Sequence, residues 1–107
     1  MNKYITILGS EWTIKYQKIG DAGWDASTDA TAREITLRED NVNNVGNFEA
    51  LMKKQLRHEL IHAFLYESGL SFNSASTDAW AAEEEIVDWI AIQLPKIYEA
   101  CAELECL

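Results

Sequence analysis

Residues Phe48 to Glu67 contain neither Gly nor Pro, and they hold the only two histidines of the chain, His58 and His62. Residues four apart on an α-helix share a face, one turn apart. If this stretch is helical, both imidazoles aim at one point in space. Glu59 then lies about 100° round the helix from His58, on the flank of the same cleft. Leu51, Met52, Leu56, Leu60, Ala63 and Phe64 supply an apolar stripe that must be covered. Asn47 is placed to cap the helix, and Gly69 suits the position just past its end.

What precedes the helix reads as strands. Lys3 to Leu8 is β-branched and aromatic, with Gly9-Ser10 behind it as a turn. Glu11 to Ile19 alternates, with Trp12, Ile14 and Tyr16 on one face, and should complete a hairpin. Gly20 to Thr31 reads as a loop that Trp24 tucks onto the core. Its three Asp do not follow the order of a calcium-binding EF-hand loop. Arg33 to Arg38 alternates again, with Ile35 and Leu37 inward, as a third strand.

A second helix is expected from about Thr77 or Asp78, with Trp80, Val87, Ala91 and Leu94 turned inward. Pro95 should kink or break it, because proline removes a donor and crowds the preceding turn. Lys96 to about Glu105 reads as a further helical piece, with Ile97, Tyr98 and Leu104 facing in. The expected fold class is α+β: about three strands, a long histidine-bearing helix and a C-terminal helix.

The 107 residues suit one domain, 1–107, and a 48% apolar content is enough for a core. A net charge of −9, from 18 acidic and 9 basic residues, repels phosphate backbones and argues against a nucleic-acid partner. No apolar run is long enough for a membrane span, and the first residues do not resemble a signal peptide. A cytoplasmic location is the expectation. In that setting Cys101 and Cys106, five apart, are simplest as free thiols.

Neutral imidazole is a common ligand for Zn²⁺, and a catalytic zinc takes three protein ligands. No third histidine exists, so a carboxylate must complete the set. Glu83, Glu84 and Glu85 lie in a row on the second helix. Glu84 falls within the inward arc, four from Trp80 and three from Val87, whereas Glu83 sits on its edge and Glu85 points away. Asp88, one turn on, can accept the free ring N–H of a liganding histidine. In this arrangement Glu59 is the general base.

The stretch Arg57-His58-Glu59-Leu60-Ile61-His62-Ala63-Phe64-Leu65, with Glu84-x-x-x-Asp88 behind it, resembles the gluzincin metallopeptidases. The run Glu84-Glu85-Ile86-Val87-Asp88-Trp89-Ile90-Ala91 is similar to the matching helix of ImmA/IrrE-type peptidases of phages and mobile elements. The resemblance implies a minimal zincin core that binds Zn²⁺ through His58, His62 and Glu84. Asp88 would stand behind the ligands, with Glu59 as catalytic base for peptide-bond hydrolysis. Tyr66, Tyr98 and Arg33 are candidates to steady a developing oxyanion. A peptide or protein substrate is expected along strand Arg33 to Arg38, as the sheet edge nearest the helix. The alternatives are a zinc-stabilised domain without turnover and a regulatory interaction protein with a vestigial site.

Overall fold

A computed structural model describes residues 2–73 and 80–107. Strands β1 (Asn2–Ile7) and β2 (Ser10–Gln17) form the expected antiparallel hairpin. It turns at Leu8 and Gly9, whose φ angles of 47° and 90° are both positive. Two positive φ values mark the primed turns whose twist matches that of the strands they join.

Four strands are present among the described residues, not three. The additional one, β3 (Ala26–Asp29), lies inside the segment read as a loop. It is followed by β4 (Glu34–Arg38), and the sheet order is β1-β2-β4-β3. β4 runs parallel to β2 and antiparallel to β3. The strand Arg33 to Arg38 is therefore interior and paired on both sides, which removes it as an open edge for substrate. With Ile35 and Leu37 fully covered, it belongs to the middle of the core. The open edge on that side of the sheet is β3.

Trp24 does not anchor its loop, since its side chain stays 38% exposed. Arg38 does that work instead. Its buried guanidinium donates to the carbonyls of Gly20 (2.7 Å) and Trp24 (2.8 Å) and to the carboxylates of Asp25 (3.1 Å) and Asp40 (3.2 Å). A buried cation needs such partners, because losing water without them is costly.

Helix α1 (Phe48–Glu67) has the predicted bounds. Asn47 caps it by accepting from the Ala50 N–H, and Gly69, at φ 85°, lies just past its end. Leu56, Leu60 and Ala63 rest on the sheet, against Ile7, Trp12, Ile14, Ile35 and Leu37. A short helix α2 (Leu70–Asn73) follows. The expected cap at Thr77 or Asp78 lies outside the described residues. After a 3₁₀ turn at Trp80–Ala82, helix α3 (Glu84–Glu103) begins with Glu83 as its N-cap.

α3 does not break at Pro95; it is one helix of 20 residues. Proline has no N–H for the carbonyl four residues back, which is that of Ala91. The Arg57 Nε of α1 donates to this carbonyl instead, at 2.7 Å. Val87 and Ala91 are the buried residues of α3, whereas Trp80 in the turn before it and Leu94, Ile97, Tyr98 and Leu104 within and after it are 43–77% exposed rather than inward. α3 packs on α1 and not on the sheet, so side chains turned away from α1 stay in contact with solvent. No helix among the described residues is long and apolar enough to cross a membrane.

The link between Pro95 and Arg57 gives a coupling test. Arg57→Met should cost about 1–3 kcal/mol by orphaning the Ala91 carbonyl. In a Pro95→Ala background the new N–H takes that carbonyl, and the cost should shrink. Equal losses in both backgrounds, by denaturant unfolding, would remove the explanation for the unbroken helix.

Candidate metal centre

α1 meets two surfaces. Its Leu56, Leu60 and Ala63 side faces the sheet, and its Lys54, His58 and His62 side faces α3. Glu59 and Tyr66 lie between these two sides, at a helical angle that opens onto a cleft. The cleft has a volume of about 410 Å³ and is lined by β3, by Glu59, His62 and Tyr66 of α1, by Ser71 and by Glu84.

Glu84 and His62 of this lining meet His58: the Nε2 atoms of His58 and His62 lie 2.9 and 2.7 Å from the two carboxylate oxygens of Glu84. One donor atom from each of the three residues lies within 4.8 Å of the others, so the group could hold a metal ion. Of the three consecutive glutamates, Glu84 is the one that stands with the two histidines. Glu83 serves the helix, accepting from the Glu85 N–H at 3.0 Å. Glu85 is exposed.

The other ring nitrogen of His58 faces Asp88, with Nδ1 to Oδ1 at 3.0 Å. Lys54 donates to the same oxygen at 2.9 Å. The Asp88 carboxyl is held below the usual carboxylate range, first by Lys54 and then by His58, against the opposing effect of burial. His58 thus has a carboxylate at each ring nitrogen. A neutral imidazole has one N–H and can serve one of them as donor. A cation at Nε2 would satisfy the other, so the donor set fits a metal on chemical grounds.

Glu59 is 6% exposed, a buried charge at the cleft wall. Thr28 of β3 donates to its Oε1 at 2.8 Å, and its Oε2 lies 3.8 Å from His58 Nε2. Of the three oxyanion candidates, Tyr66 lines the cleft. Its ring packs edge-on against buried Trp12, with centroids 6.3 Å apart. Arg33 is engaged by Glu67, and Tyr98 is 60% exposed near the far end of α3. Glu67 also accepts from Trp12 Nε1 (2.8 Å) and Ser10 Oγ (3.1 Å). Its carboxyl is pulled below the ordinary range, mainly by Arg33.

Two members of the site escaped the sequence reading. Lys54 was traceable, since it sits one turn before His58 on the same face. Thr28 carried no local signal, because its role depends on a strand that pairs 31 residues before Glu59. Comparison with protein-family models, curated proteins and solved structures finds no match to this chain.

The two carboxylates of α3 should separate in a metal titration. Glu84→Ala should abolish tight uptake, and Asp88→Asn should weaken it about 10–100-fold, as expected for a group behind a ligand. Glu83→Ala should leave affinity unchanged and lower helix stability through the lost cap. Calorimetric titration with Zn²⁺ reads all three, and unchanged affinity in Glu84→Ala would exclude it from the site.

Proposed function

We propose that the protein is a zinc-dependent peptidase of minimal zincin type, with His58, His62 and Glu84 as zinc ligands. The donor set of two imidazoles and one carboxylate, beside an open cleft, supports zinc over harder cations that prefer oxygen alone. When bound, zinc would polarise the scissile carbonyl and make water a competent nucleophile near neutral pH.

The observation that carries the peptidase reading is Glu59. It is a buried carboxylate at the cleft wall, adjoining the three donors without being one of them. In this position Glu59 takes a proton from the attacking water at Oε2 and later returns it to the leaving amine. Asp88 keeps the His58 proton on Nδ1 and leaves Nε2 free to ligate. Tyr66 lines the cleft wall, which makes it the candidate among the three to steady the developing oxyanion. The substrate is an extended peptide laid along β3, where main-chain hydrogen bonds hold it without demanding a sequence.

Glu59→Gln tests this directly. Zinc content and fold should persist, because the ligands remain and Gln matches Glu in size and helix propensity. Cleavage of a mixed peptide library should fall by about 10²–10⁴-fold, the usual worth of general acid–base catalysis. A wild-type protein that binds zinc and cleaves nothing would favour a purely structural metal. Loss of zinc along with activity would mean that Glu59 supports the metal itself.

A further inference from the structure

The Arg38 N–H donates to the Asp25 carbonyl at 2.8 Å, just beyond the last registered pair of β3 and β4. Antiparallel partners alternate between hydrogen-bonded and non-bonded pairs. With Ala26 opposite Leu37 and Thr28 opposite Ile35, the bonded pairs are Ser27 with Thr36 and Asp29 with Glu34. The main-chain N–H and C=O of Ala26 and Thr28 consequently point away from β4, toward the open edge. Thr28 also sends its hydroxyl into the cleft, to Glu59 Oε1 at 2.8 Å.

We infer that Thr28 is a positioning residue for the base: its hydroxyl fixes the Glu59 carboxylate, while its main chain stands where an extended peptide would pair. This rests on the peptidase reading above. With Oε1 engaged by Thr28, the carboxylate cannot rotate freely, and Oε2 is left turned toward the histidines, 3.8 Å from His58 Nε2. A carboxylate held by a single neutral donor keeps its second oxygen available to accept a proton. The same residue then fixes the height of the peptide backbone relative to the base. A shift of about 1 Å in such an alignment can cost on the order of 100-fold in rate.

The test is a pair of substitutions read in two ways. Thr28→Val keeps the shape and strand preference but removes the donor. Thr28→Ser keeps the donor. For Thr28→Val, kcat on a cleaved peptide should fall about 10- to 100-fold, the cost of a hydrogen bond to a charged group. KM and zinc content should stay unchanged, and Thr28→Ser should recover most of the rate. In a Glu59→Gln background, Thr28→Val should cause no further loss. Independently of turnover, the carboxyl ¹³C resonance of Glu59 should move in Thr28→Val and stay in place in Thr28→Ser. An unmoved resonance in Thr28→Val, a wild-type rate in that variant, or a Thr28→Ser variant as slow as Thr28→Val would overturn the inference. An inactive wild type would instead sink the peptidase reading, and the resonance would still decide whether Thr28 holds Glu59.

Discussion

The His58–Asp88 contact is the constraint around which the two halves of the structure are arranged. α1 can satisfy its apolar side by lying on the sheet, where Ile7, Trp12, Ile35 and Leu37 are fully covered. Its opposite side carries Lys54, His58 and His62, which no apolar surface could accept without leaving polar atoms unpaired. α3 resolves this by presenting Glu84 and Asp88 one turn apart, so each ring nitrogen of His58 meets a carboxylate. Among the described residues, no buried side-chain polar atom is left without a partner.

The same need to partner buried charge shapes the periphery. Arg38 draws in the chain from Gly20 to Asp25 and leads it into β3. Glu67 gathers Ser10, Trp12 and Arg33 and fixes the end of α1 against β2. Trp12, held in this way, backs the ring of Tyr66. The cleft is therefore bounded on one side by a strand that one buried cation positions, and on another by a tyrosine that one buried carboxylate steadies indirectly.

How much of this was legible in the sequence depended on whether a residue's place is set locally. α1, its cap and its two histidines follow from spacing alone. Glu84 is legible in part: of the four residues that set the register, Val87 and Ala91 are buried in α3, whereas Trp80 lies in the preceding 3₁₀ turn and, like Leu94, is exposed. β3 does not follow, because Ala-Ser-Thr-Asp is short, polar and without alternation; its extended state comes from pairing with β4. Missing it made β4 look like an edge. The break allowed for at Pro95 does not occur, for a related reason: the donor that replaces its absent N–H is Arg57, on another helix. The apolar residues Ile97, Tyr98 and Leu104 show the converse limit. Periodicity gives the apolar side of a helix but cannot say whether anything lies against it.

The docking of α3 has a consequence for the site. Its buried apolar contribution is confined to Val87 and Ala91. Polar contacts also join it to α1: Lys54 and His58 to Asp88, Arg57 to the Ala91 carbonyl, and both histidines to Glu84. Such contacts exchange water for protein partners at modest net gain each. A cation held between the histidines of α1 and Glu84 of α3 would bind the docked arrangement and not the separated one. By mass action it would stabilise that arrangement. With His58 and His62 preset on one helix, Glu84 is the donor whose position depends on docking, and its side chain is also the most exposed of the three. Whether the three donors stand close enough to share an ion is therefore set by where the first turn of α3 rests against α1.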